Sequence, residues 1–224
     1  MFGVVPKPLW ERRIPADARN RIPLALRCLL VEHDDGLVLI DTGLGNKEDA
    51  KFREIYGVQN EGATGRTWLE DALAELRYGT DDIRWVINTH LHFDHAGGNT
   101  YREPVERAPD DPTVRPSDRP TLVSFPRATY VVQKGELEFA RHTNERTAAS
   151  YLPHNFEPVT FQLIDGEAEL LPGVRCLPHR ATSPTTSRCW WRAAASGCVS
   201  WPISCPPVPI CHSPGSWDTT SSRS

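Results

Sequence analysis

The sequence predicts a layered α/β domain with mixed sheets over residues 1–177, followed by a tail of another kind over 178–224. Three observations predict it. Apolar strand patterns pair into hairpins at both ends of the readable part. Helical periodicity lies between them. No segment repeats.

Leu24 to Val31 is apolar and bounded by Pro23 and the turn Asp34-Asp35-Gly36, and Leu37-Val38-Leu39-Ile40 follows. The pair reads as a hairpin of buried strands ending at Asp41-Thr42-Gly43. Thr67 to Tyr78 reads as a helix. Thr67 and Glu70 make a capping-box pattern, Leu69, Ala72, Leu73 and Leu76 form one stripe, and Gly79 supplies the stop. Arg84 to Asn88 is a short strand. Glu103 to Pro120, rich in Pro, Asp and Arg, is a surface loop. Thr129 to Val132 is a strand, and Lys134–Arg141 and Asn144–Tyr151 are short helices. Phe161–Ile164 and Ala168–Leu177, the latter around Pro172-Gly173, complete the strands.

The chain has 224 residues, enough for one domain with a substantial core. A net charge of −4 and a pI near 6.1 disfavour a nucleic-acid partner, which asks for a basic patch. No run approaches the ~18 apolar residues of a membrane span. The start, Met1 to Lys7, lacks the apolar stretch of a signal peptide, so a cytoplasmic location is expected.

The chemistry concentrates in His90-Leu91-His92-Phe93-Asp94-His95, directly after a strand. Three imidazoles and a carboxylate are good donors for a borderline divalent metal such as Zn2+. His90 and His92 are two apart, so in extended chain they point the same way. Asp94 and His95 can face a second centre. Gly97 and Gly98 then let the backbone turn tightly. His33, His142 and His154 lie in polar surroundings and are expected at the surface. Tyr130 and Tyr151 suit either a pocket wall or packing in the core or rim.

Thr89 to Asn99 resembles the signature of metallo-β-lactamase-fold hydrolases, and the resemblance runs from about Leu24 to Leu177. Asp41-Thr42-Gly43 matches that family's strand-end motif. Val131 to Glu136 and Ala149 to Leu152 resemble the branch that includes quorum-quenching lactonases and phosphotriester-type hydrolases. The resemblance implies an αβ/βα sandwich with its site at one edge. It implies two Zn2+ per intact domain, the first on His90 and His92 and the second on Asp94 and His95. Two metals about 3.5–4 Å apart would hold a bridging hydroxide and polarise a scissile carbonyl or phosphoryl group. Asp94 would also orient the nucleophile and later accept a proton. Asp41 would orient a ligand histidine by a hydrogen bond, or else serve as a turn cap.

The resemblance breaks at Pro178. The family supplies a third His for the first metal in a Thr-Pro-Gly-His segment, then a bridging Asp and a late His. Here the chain reads Leu177-Pro178-His179-Arg180-Ala181-Thr182. Composition changes at the same point: residues 178–224 hold ten Ser, seven Pro and four of the six Cys, but no Glu or Lys. Loss of one base after the Pro178 codon accounts for both. In the shifted frame the codons of Pro178 to Thr182 can encode Thr-Pro-Gly-His. Those of Val199 to Ile203 can encode Phe-Leu-Ala-Asp, and those of Pro214 to Thr219 can encode Trp-Ile-Met-Gly-Tyr. The competing reading is a genuine Cys/Pro-rich tail, but Cys189, Cys198, Cys205 and Cys211 form no C-x-x-C pair. An out-of-frame tail without amphipathic period is expected to be irregular, which leaves the sandwich incomplete.

Three functions follow as expectations. The first is a zinc-dependent hydrolase that uses a metal-bound hydroxide on a small-molecule ester, lactone or phosphoester. The second is an inactive or weakly metal-binding product, since the chain as written would hold one metal or none; His179 is a candidate substitute ligand. The third is iron-dependent thiol oxidation, or a nuclease, on the same fold.

Overall fold

A computed structural model describes residues 6–103 and 119–178, together with the backbone alone of 187–192 and 198–200. After a single helical turn, α1 (Lys7–Trp10), the chain enters the hairpin β1 (Leu29–His33) and β2 (Gly36–Ile40). α2 (Ala50–Tyr56), α3 (Trp68–Glu75) and β3 (Ile83–Ile87) follow. Next come the one-turn helix α4 (Phe93–Ala96) and the short pair β4 (Thr100–Tyr101) and β5 (Leu122–Val123). β6 (Thr129–Gln133) runs directly into α5 (Lys134–Arg141). β7 (Phe161–Ile164), β8 (Ala168–Leu171) and β9 (Val174–Pro178) precede β10 (Ser187–Arg192) and β11 (Cys198–Ser200).

These strands form two main sheets. The first has the order β1-β2-β3-β6-β7, with β1/β2 antiparallel and the other three pairings parallel. The second is antiparallel, in the order β11-β10-β9-β8. Period-two alternation sorts the first sheet's side chains between two cores. Val38, Ile87, Val131 and Ile164 face the second sheet and pack with Leu171, Val174 and Cys176. Leu39, Val86 and Tyr130 face the other way, onto Leu73 of α3 and onto Phe125 and Val159. A third cluster seats Leu91 and Ala96 against Val132, Leu137, Ala140, Tyr151 and Phe156. The result is the expected α/β sandwich, and the carboxyl ends of parallel strands β2, β3 and β6 open on one edge, where such sheets bind ligands.

Several expectations need correction. Leu24 to Arg27 is not strand, and Leu24 and Leu26 are exposed. Leu29 pairs with Ile40, the last residue of β2, and the ladder ends there. Thr67 precedes α3, but its side chain makes no capping bond. Glu70 instead accepts from the Arg66 backbone N–H at 2.7 Å. α3 stops before Gly79, because Arg77 takes a left-handed conformation and the Tyr78 N–H closes on Leu73 O. Asn144 to Tyr151 forms turns, not a helix. There Asn144 Oδ1 accepts from the Arg146 N–H at 3.0 Å, a local bond that competes with helix continuation. Helix α2 carried no expectation; Asp49 caps it by accepting from the Phe52 N–H. His33 is not a surface side chain: its Nε2 lies 3.0 Å from Pro172 O, and the ring bridges the two sheets. His154 is half-buried, 3.1 Å from Glu48, whereas His142 is exposed as expected.

Within the segment expected to be irregular, β10 and β11 pair as strands. β10 pairs along the outer edge of β9, which would otherwise leave backbone groups unpaired, and a segment containing two adjacent Trp has high strand propensity. Residues 179–186, 193–197 and 201–224, with the candidate ligand His179, lie outside the described residues, as do 104–118 of the expected surface loop.

Candidate metal centre

β3 ends at Ile87, and the chain then crosses the sheet edge without regular structure, bending at Thr89 and His92. Asn88 and Asn99 exchange side-chain hydrogen bonds of 3.2 and 2.9 Å, both fully buried. Thr42 donates to Asn99 Oδ1 at 3.0 Å and to His95 O at 3.1 Å. These bonds tie the end of β2 to the turn after α4. Gly98 fits there for lack of a side chain: a Cβ would sit 2.2 Å from Thr42 O.

Along His90-Leu91-His92 the side chains alternate. Leu91 is wholly buried in the third apolar cluster, and the flanking imidazoles turn to the edge. The single turn of α4, closed by Ala96 N–H on His92 O, then brings His95 back toward them. The ring centroids of His90 and His95 are 4.0 Å apart, and those of His90 and His92 4.6 Å. Asp94 Oδ2 lies 3.6 Å from His95 Nε2. The three rings and the Asp94 carboxylate are therefore neighbours at this edge.

Asp41 sits beneath it, 5% exposed and left-handed at φ +57°. Its carboxylate accepts from the Thr89 N–H at 2.8 Å and the Thr89 hydroxyl at 2.7 Å. Its Oδ2 also lies 2.8 Å from His95 Nδ1, which donates to it. That bond sets the His95 tautomer and directs Nε2, with its lone pair, toward Asp94.

Protonation follows from burial and charge. Burial, reinforced by His95 and His92, holds His90 well below the usual histidine range, which favours the neutral ring with one nitrogen lone pair free. Burial also lowers His92, against the opposing charges of Asp94 and Glu136. Burial pulls His95 down too, but the charge and hydrogen bond of Asp41 and the charge of Asp94 outweigh it and raise its pKa.

In kind, these donors fit a divalent cation: a buried His90, a partly buried His92 and a His95 oriented by a carboxylate, beside a half-exposed Asp94. In number they fall short. Among the described residues, no three such side chains form a ready coordination group.

Glu136, Lys47, Phe52 and Tyr56 also lie near this edge, and no sequence signal singles them out. Glu136, wholly buried, accepts from the Leu91 N–H at 3.0 Å and the Tyr151 hydroxyl at 2.9 Å. Tyr151 is core, not a pocket wall, and stands edge-on to His92 at 4.6 Å. Tyr130 is core as well, donating to Asn99 O. Lys47, buried, donates to Gly97 O at 2.5 Å and Thr100 O at 2.6 Å. Phe52 and Tyr56 of α2 stack with Phe93, with each ring centroid 5.1 Å from that of Phe93. The i, i+4 spacing of Phe52 and Tyr56 signals one helix face. Nothing in the sequence signals that this face meets Phe93.

The sequence model of the metallo-β-lactamase superfamily matches residues 22–194. An N-acyl homoserine lactonase of Bacillus thuringiensis is 28% identical over 190 residues, which cover 79% of this chain and 62% of that enzyme. The chain thus spans less than two thirds of the length of this relative. A solved probable metal-dependent hydrolase from Staphylococcus aureus superposes with a TM-score of 0.68 at 27% identity, over 86% of this chain and 63% of that one. A B. thuringiensis lactonase variant with N-decanoyl-L-homoserine bound at its active site superposes at a TM-score of 0.52 and 25% identity, over 77% of this chain and 60% of that one.

Proposed function

The chain belongs to the metallo-β-lactamase superfamily, and from that premise we propose that it is a metal-dependent hydrolase, or the greater part of one, acting on a lactone or related ester of a small molecule. The observation that carries this reading is the convergence of His90, His92 and His95 over Asp41, with Asp94 at the open side.

His90 and His92 would hold one divalent ion, and Asp94 and His95 the other, with zinc the expected metal. When bound, such ions polarise a scissile carbonyl and make water nucleophilic near neutral pH. The chain's own residues orient and exclude. Asp41 holds His95 in the tautomer that presents Nε2. Asp94, half-exposed, would accept the proton of the attacking water at Oδ2 and return it to the leaving oxygen. Phe52, Tyr56 and Phe93 make an aromatic wall beside Asp94, suited to an apolar substituent such as an acyl chain. That wall, together with the lactonase relatives, favours an N-acyl lactone over a phosphotriester.

A second reading is favoured by the donor count. With two pairs and no third ligand among the described residues, the chain as written would hold metal weakly and turn over poorly. Residues 178–224 would then be the out-of-frame remainder of the domain that starts at 1–177. No helix among the described residues is long and apolar enough to cross a membrane.

One experiment separates the readings. The chain as written and a version carrying one added base after the Pro178 codon are purified, and their metal content and hydrolysis of N-acyl homoserine lactones are compared. The restored chain is expected to hold two ions and turn over. The chain as written should hold one or none. Absence of metal and of lactone hydrolysis from both would overturn the hydrolase reading.

A further inference from the structure

Glu136 is a carboxylate with no solvent exposure, in the first turn of a helix that begins at the end of a parallel strand. A buried charge is costly unless hydrogen-bonded groups compensate it. Here two of the compensating groups flank the candidate metal centre. The Leu91 N–H donates to Oε1 at 3.0 Å, and Leu91 is the residue between His90 and His92. The Tyr151 hydroxyl donates to the same oxygen at 2.9 Å, while its ring stands edge-on to His92, 4.6 Å between centroids at 78°. One residue further along, the Phe93 N–H donates to Ser150 O at 2.8 Å. The backbone from Leu91 to Phe93 is thus held from one side by α5 and the Ser150-Tyr151 segment.

We infer that Glu136 is a positioning residue for the His90/His92 pair, acting through its hydrogen bond to the Leu91 amide and, through Tyr151, against the His92 ring. The geometry gives the reason. In extended chain the directions of His90 and His92 are set by the rotation of the peptide between them. The Leu91 side chain, sunk in its cluster with Val132, Leu137 and Phe156, fixes that rotation from below, and the carboxylate fixes it at the amide. A charge-assisted bond to an amide is stronger than a neutral one, so it holds this peptide more firmly than a carbonyl would. Asp41 does the same for His95 from the opposite side. The two imidazole groups are therefore braced by separate carboxylates on separate strand ends, one after β2 and one after β6.

The inference rests on the metal reading above, and its test keeps the two apart. In the full metal-free chain, exchange of the Leu91 amide is measured against core amides of Leu39 and Val86. Co2+ affinity is then measured by competition with a chelator, together with the visible spectrum of the bound ion. Glu136→Leu removes the acceptor, whereas Glu136→Gln keeps a carbonyl oxygen for the Leu91 N–H. Glu136→Leu is expected to speed exchange at Leu91 about tenfold beyond any change at Leu39 and Val86, and to weaken Co2+ binding about tenfold with an altered spectrum. Glu136→Gln is expected to restore most of both. A merely structural role would move all three amides together and leave the spectrum unchanged, and that result overturns the inference. So does a Glu136→Gln chain as impaired as Glu136→Leu. Should Glu136→Leu fail to fold, Tyr151→Phe decides: about threefold weaker Co2+ binding supports the inference, and an unchanged Leu91 amide and affinity overturn it. Should the parent chain take up no Co2+, the metal reading is still decided by the frame-restored chain, and the Leu91 amide decides the positioning role.

Discussion

Asp41 Oδ2 and His95 Nδ1 lie 2.8 Å apart, although 54 residues of sequence separate them, and the aspartate that makes the contact is held left-handed at φ +57°. A non-glycine residue in that conformation carries roughly 1 kcal/mol or more of strain. Three hydrogen bonds to one carboxylate hold it there, two from Thr89 and one from His95.

Asp41→Asn tests the charge in that contact. The amide is close in size, but it removes the negative charge facing His95 and can present a donor to Nδ1. Metal affinity is expected to fall by about 10- to 100-fold, read by chelator competition. Unchanged affinity would reduce Asp41 to a turn cap.

Gly98→Ala tests the junction between the Asp41 loop and the ligand segment. The new methyl would lie 2.2 Å from Thr42 O, which is backbone and cannot step aside alone. A loss of about 1–3 kcal/mol in urea unfolding is expected, with metal affinity falling alongside. A neutral result would mean that the loop after β2 yields freely.

Lys47 gives the fold a pH dependence. Burial lowers it to about 7, Arg102 adds to the lowering and Glu48 opposes it, while Gly97 O and Thr100 O accept from its Nζ. Between about pH 7 and the ordinary lysine range near 10.4 the unfolded chain binds the extra proton, so stability rises with pH across that window. Below about 7 both states are protonated and the cost of burying the charge is constant. Lys47→Met should flatten the rise, seen in urea midpoints at pH 7 and 9.5. A parent protein whose midpoint falls over this range would contradict the assignment.

Phe52→Ala tests the aromatic wall. The ring stacks on Phe93 at 5.1 Å and on Tyr56 at 4.5 Å. In the frame-restored chain, KM for a long-chain N-acyl lactone is expected to rise about tenfold, with little change for a short-chain one. Equal effects on both would place the ring in support of α2 and away from substrate.

The metal-ligand candidates and much of the scaffold were legible in the sequence because their signals are local. His90 to His95 packs four donors into six residues, and strands such as Thr129–Val132 and Phe161–Ile164 are short β-rich runs. The tight turn at Gly97-Gly98 was likewise readable, although the contact that demands it, Thr42 O, was not. Local signals failed where a partner decides. Leu24 to Arg27 is as apolar as a strand, yet pairing ends at Leu29 with Ile40. Asn144 to Tyr151 contains helix-forming residues, yet the Asn144 side chain engages the turn. β10 and β11 arise from a segment with no expected structure, because the edge of β9 stands open beside them.

The amino-acid sequence alone marked His90, His92, Asp94 and His95 as candidate metal donors and placed a strand before them. It determined that Asp41 ends another strand, and it marked Pro178 as the point where family pattern and composition both change. Which carboxylate meets which part of the site was left to tertiary packing: Asp41 meets His95, and Glu136 meets the Leu91 amide between His90 and His92. The reason is physical. Donor chemistry belongs to the side chain, and strand pattern to a few neighbours along the chain. The bracing of the site depends on β2, β3 and β6 lying side by side, which packing of the whole sheet creates.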